Sequence, residues 1–90
     1  MPDKLAFREF LDKVHDRISE RARKNDTNGL LRVGNTWRLN RMEATIVQDN
    51  GAMRLELVGG ADSSRRYKGT IGTPDATGDE IYEKLELLRR

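Results

Sequence analysis

The sequence contains no cysteine and only one histidine, His15. Without thiols there is no disulfide framework and no thiolate metal site. A single imidazole beside the helical carboxylates Asp12 and Asp16 is not a clustered ligand set, so no metal or other cofactor is expected. Nucleophilic catalysis lacks its residues as well, because Ser63 and Ser64 stand in a glycine-rich stretch where turns ordinarily place serine. Glu43 and Glu56 have arginine neighbours, so ion pairing accounts for them before acid–base work does. Gly59-Gly60 leads into no lysine–hydroxyl pair at a helix start, and so is no phosphate cradle. The chain is therefore expected not to be an enzyme, and no small-molecule substrate is evident. No apolar run approaches the roughly 20 residues that cross a bilayer. The N-terminal segment also lacks the continuous apolar core of a secretory signal. A soluble, cytoplasmic protein with no membrane association is the expectation.

Charge of one sign is not in large excess either. Seventeen basic residues face fifteen acidic ones, a net charge of +2, yet the basic set is twelve Arg against five Lys. That balance excludes a bulk polycation and directs attention to local patches. Ninety residues suffice for one domain, 1–90, built on one sheet and one or two helices around a single core.

The stretch 42–58 organises this chain. Two alternating segments, MEATIVQ and MRLELV, flank Asn50-Gly51, the pair best suited to the positive φ angles of a type I′ hairpin turn. That turn pairs Gln48 with Met53, Ile46 with Leu55 and Ala44 with Leu57. Met42, Ala44, Ile46, Met53, Leu55 and Leu57 then share one apolar face, and Glu43, Thr45, Val47, Arg54, Glu56 and Val58 share the other.

Upstream, Phe7, Phe10, Leu11, Val14 and Ile18 recur at helical spacing, which predicts a helix from Asp3 to about Lys24. Asn25 to Gly29 ends it. Leu30 to Val33 reads as a short strand, broken or bent at Gly34-Asn35, and Thr36 to Leu39 as a clearer one. The inward set changes from odd to even numbers after Leu39. A tight turn at Asn40-Arg41, pairing Leu39 with Met42, Arg38 with Glu43 and Trp37 with Ala44, accounts for the change. A bulge in one long strand is the alternative. Arg65 to Ile71 reads as a further strand, with Tyr67 and Ile71 inward and Arg66, Lys68 and Thr70 outward. Thr77-Gly78-Asp79-Glu80 has the pattern of a capping box opening a last helix with Ile81, Tyr82, Leu85 and Leu88 on one stripe.

The expected fold is α+β, in the order α-β-β-β(-β)-α: an antiparallel meander with both helices packed on one face and the other face open. This order is shared with double-stranded-RNA-binding domains. At the last helix, where such domains carry a lysine cluster, this chain has Asp79 and Glu80, and no family is assigned.

Arg38, Arg54, Arg66 and Lys68 fall on the open face, interspersed with threonines, with Arg65 at its edge. Arg21 and Lys24 make the end of the first helix basic. The first functional reading is a non-catalytic module that binds an RNA or DNA backbone through these cations. The alternative is a protein–protein interaction module, whether inhibitor, adaptor or homodimer, using the same face or a sheet edge.

Overall fold

A computed structural model describes residues 4–39, 41–49, 52–59, 65–69 and 71–88, with the backbone alone at 4, 5, 49, 65–68, 87 and 88. Its order is α1 (Lys4–Lys24), β1 (Leu31–Val33), β2 (Thr36–Leu39), β3 (Met42–Asp49), β4 (Ala52–Gly59), β5 (Arg65–Gly69) and α2 (Pro74–Leu88). The strands form one antiparallel meander in the sheet order β1-β2-β3-β4-β5.

Both expected registers are present. Gln48 pairs with Met53, Ile46 with Leu55 and Ala44 with Leu57. The turn residues Asn50 and Gly51 lie outside the described residues, as does Asn40. Leu39 pairs with Met42, Arg38 with Glu43 and Trp37 with Ala44, so the chain reverses between Leu39 and Met42 and does not run on as one bulged strand. Trp37, Leu39, Met42, Ala44, Ile46, Leu55 and Leu57 are buried on one side of the sheet. Leu11, Val14, Ile18 and Ala22 of α1 and Ile81, Tyr82 and Leu85 of α2 close over them in the same core. Each fully buried aliphatic side chain contributes about 1.5–3 kcal/mol. Both helices therefore lie on the apolar face and leave the opposite face open.

The sheet has one strand more than the three or four expected. Gly34-Asn35 is a hairpin turn and not a bend, with Val33 paired to Thr36 and Leu31 to Arg38. Gly34 takes φ +62°, and a positive φ at the first central residue is what a type II′ turn requires and glycine adopts without strain. Asn35 then ties this turn to β3. Its carbonyl accepts from the Ile46 N–H at 3.0 Å and its side-chain amide donates to the Ile46 carbonyl at 2.8 Å.

The helix ends are built from local chemistry. Thr27 N–H donates to the Ala22 carbonyl at 2.8 Å and Asp26 N–H to the Arg23 carbonyl at 3.3 Å, with Asp26 at φ +51°. These bonds make a Schellman cap in which aspartate occupies the left-handed position usually given to glycine. At the other helix the capping-box expectation needs correction, because α2 begins one turn before Thr77. Thr73 is the cap, its hydroxyl accepting from Ala76 N–H at 3.2 Å, and Pro74 follows at the first helical position. Proline has no N–H to leave unsatisfied there, and its φ is already helical. Thr77 is thus inside the helix, 1% exposed, and its hydroxyl accepts from Gly72 N–H at 3.2 Å. At the opposite end, the Leu88 side chain lies outside the described residues.

The two helices touch at Gly78. A Cβ there would lie 2.8 Å from Arg17 Cβ, 3.0 Å from Arg17 Cγ and 3.1 Å from the Val14 carbonyl oxygen. Because two of these atoms are on or next to the α1 backbone, the helices must separate to admit a methyl group. Gly78→Ala is expected to destabilise the protein by about 1–2 kcal/mol, even though alanine is the better helix former by about 1 kcal/mol. Asp26→Gly should act in the opposite direction, raising stability by about 0.5–1 kcal/mol as the left-handed strain is relieved. Urea denaturation of both variants checks the two signs.

Candidate binding surface

Backbone pairing maps the open face in rows. One row runs Leu31, Arg38, Glu43, Val58 and position 66. The next runs Val33, Thr36, Thr45, Glu56 and position 68, and a third pairs Val47 with Arg54. Two of the expected site residues, Arg38 and Arg54, are therefore on this face, and both are engaged by its glutamates. Arg38 Nε donates to Glu43 Oε1 at 2.9 Å, with a second, closer contact from Nη2 to the same oxygen. Arg54 Nε donates to Glu56 Oε1 at 3.2 Å along the same strand. The Thr36 and Thr45 hydroxyls bond across the strands at 3.0 Å. Arg38 and Arg54 against Glu43 and Glu56 make the described part of the face electrically neutral. The side chains of Arg65, Arg66 and Lys68 lie outside the described residues.

The edge of this face is apolar, a feature that sequence reasoning missed. Leu31 and Val33 are 62% and 79% exposed. They belong to β1, which has a neighbour only on its β2 side. With Thr36, Arg38 and Glu43 they line a depression of about 330 Å³. The signal was present in the residues: Leu31 and Val33 alternate with Arg32, but only a hairpin at Gly34 makes that alternation meaningful.

Arg32, between them, turns the other way. Its guanidinium lies over the Trp37 ring at 5.6 Å, donates to Asp12 at 3.0 Å and donates to the Gly34 carbonyl at 2.7 Å. The wholly buried Trp37 donates its indole N–H to His15 Nδ1 at 3.1 Å, while His15 Nε2 faces Ser19 Oγ at 3.3 Å. His15 thus serves as the acceptor for a buried donor. Burial, followed by the nearby Arg32 charge, holds it below the ordinary histidine value of 6.5, against the opposing pull of Asp16 and Asp12. Among the described residues no group of three or more His, Asp or Glu side chains is placed to hold a metal ion.

The basic end of α1 is committed within the fold. Asp79 of α2 accepts from Arg17 Nε at 2.8 Å and Arg17 Nη2 at 3.1 Å, and from Arg21 Nη1 at 2.8 Å. Arg21 also lies over the Tyr82 ring at 5.1 Å and reaches Glu83 at 3.7 Å. Lys24 is paired with Glu20 on its own helix at 3.2 Å and is otherwise exposed. Below the arginines, Thr27 and Tyr82 hydroxyls lie 2.6 Å apart and both reach Glu86 Oε1, at 2.8 and 3.1 Å. The expected phosphate-binding residues Arg21 and Lys24 are therefore not brought together with Arg38 and Arg54. Arg21 joins the helices, whereas Arg38 and Arg54 are on the far side of the sheet.

No family model, curated protein or solved structure matches this chain. No helix among the described residues is long and apolar enough to cross a membrane.

Hydrogen bonds from Arg17, with those from Arg21 and the two positive charges, hold Asp79 below the ordinary carboxylate value of 3.8 despite partial burial. A carboxylate depressed in the folded state binds fewer protons than in the unfolded chain. Its contribution is complete above 3.8 and is lost as pH falls through the lowered folded value. Asp79→Asn is expected to cost about 1–2 kcal/mol at neutral pH, between an exposed pair and a buried charge-assisted one. The same variant should lose this acid-sensitive component, as read from denaturation midpoints at neutral and acid pH.

Proposed function

We propose that this protein is a non-catalytic protein-recognition module that works through its open sheet face and the adjoining β1 edge. The occupant best supported is a second copy of the chain. One observation carries this reading: the described cations of the face are neutralised within it, and the exposed large apolar side chains, Leu31 and Val33, stand along its rim. A phosphate backbone is attracted by uncompensated positive charge. The described part of the face bears both signs in equal number, which allows a reversed copy to set glutamate against arginine about a two-fold axis. Strands spaced about 4.8 Å and rising about 3.3 Å per residue give a plane of roughly 500 Å² at most. This is below the about 800 Å² per partner of a standard stable interface and suits a reversible contact.

The nucleic-acid reading has its own support in β5, whose backbone register sets Arg66 opposite Val58 and Lys68 opposite Glu56, next to Arg65. The two readings differ in their response to salt. Sedimentation equilibrium is expected to show a reversible dimer that changes little with salt. The double variant Leu31→Glu, Val33→Glu is expected to be a folded monomer, because both positions are exposed. A wild-type monomer at all concentrations removes the self-association reading. Binding of labelled RNA or DNA oligonucleotides that weakens steeply with salt and is lost in Arg54→Ala, Arg66→Ala replaces it with the nucleic-acid one.

A further inference from the structure

The β1–β2 hairpin, which carries Leu31 and Val33, is held to α1 by a small polar cluster. Trp37 is the anchor: its ring is wholly buried and its N–H has His15 Nδ1 as acceptor at 3.1 Å. Nδ1 accepts that bond only while it carries no proton, so the imidazole is the neutral tautomer with its proton on Nε2, directed at Ser19 Oγ. Protonating Nδ1 sets one N–H against another and strands a buried donor. It also places a positive charge beside Arg32, which stacks on the same indole ring and ties β1 to Asp12.

We propose that His15 is an acid-sensitive latch for the β1–β2 hairpin: its neutral imidazole fastens Trp37 to α1, and its protonation loosens the hairpin against the helix while the rest of the core holds. The charged groups facing it are Arg32 from β1 and Asp12 and Asp16 from its own helix. Arg32 opposes the second charge, and the two aspartates favour it without restoring the indole acceptor. The location is consistent with this role. β2 is also held by its four-residue pairing with β3, whereas β1 is only three residues long and, among the described residues, pairs with β2 alone. Control of partner binding by this latch rests on the protein-recognition reading, because Leu31 and Val33 ride on the hairpin. The latch itself is measurable on the free chain.

The sequence has one histidine and one tryptophan, so two NMR signals report the latch without overlap. Between about pH 7.5 and pH 5, where histidine titrates and carboxylates largely do not, the His15 ring signal is followed together with the Trp37 indole N–H. The indole signal is expected to move with the His15 titration, at a midpoint below 6.5. Amide protection factors over 31–39 should fall several-fold across the same range while those of α2 and the β3–β4 hairpin hold. His15→Gln offers the indole an amide carbonyl that does not titrate, and should flatten both responses. An indole signal indifferent to the His15 titration overturns the latch, as does protection lost equally throughout the molecule. The wild-type titration decides the matter alone if the glutamine variant does not fold. A chain that never self-associates removes the binding reading, and the same spectra still decide whether the latch exists.

Discussion

Two short reversals of the chain, at 40–41 and between Asp49 and Ala52, decide which side chains of three strands point the same way. Because side chains alternate along a strand, a slip of one residue at either reversal would send Ile46 or Leu55 to the solvent side and bring glutamate and arginine inward. With the observed registers, Trp37, Leu39, Met42, Ala44, Ile46, Leu55 and Leu57 form a continuous dry floor. Both amphipathic helices settle on that floor and on each other. The open face follows from the same parity: it is the side opposite the buried floor, and it carries Leu31, Val33, Val47 and Val58 among its polar residues.

The helices are fixed to each other by a contact that the floor alone does not specify. Gly78 lets α2 approach the backbone of α1 at Val14 and Arg17. At that separation, Arg17 and Arg21 converge on Asp79 from successive turns. A bidentate arginine and a second guanidinium on one carboxylate fix position and rotation together, which apolar packing does only loosely. The Schellman cap then turns the chain so that Thr27 meets Tyr82 and Glu86, sealing the same helix pair lower down. A stretch that looks in the sequence like a cationic surface is thus largely the joint between two helices.

The small β1–β2 hairpin contrasts with this joint. It is short, sits at the sheet edge and is fastened to α1 through Trp37, His15, Arg32 and Asp12. It also presents the exposed apolar pair at the rim of the open face. The strand most open to a partner, β1, is therefore the one that meets the sheet on one side only.

Local sequence determined the strand registers, because turn chemistry at Asn50-Gly51 and two-residue alternation on either side leave one arrangement that buries apolar groups. It determined α1 for the same kind of reason, a stripe at helical spacing ended by turn formers. The start of α2 was less legible: Thr77 and Glu80 have the spacing of a capping box, but Thr73 and Pro74 form the actual start, and a proline next to a threonine looks the same as a strand breaker until the helix is seen. The fifth strand depended on whether Gly34 bends or reverses the chain, which pairing with β2 decided. What only the tertiary structure decided is where charge ends up. Arg17 and Arg21 find Asp79 across 62 and 58 residues, and Trp37 finds His15 across 22. Such pairings arise when elements dock in space, and no periodicity along a single element records them.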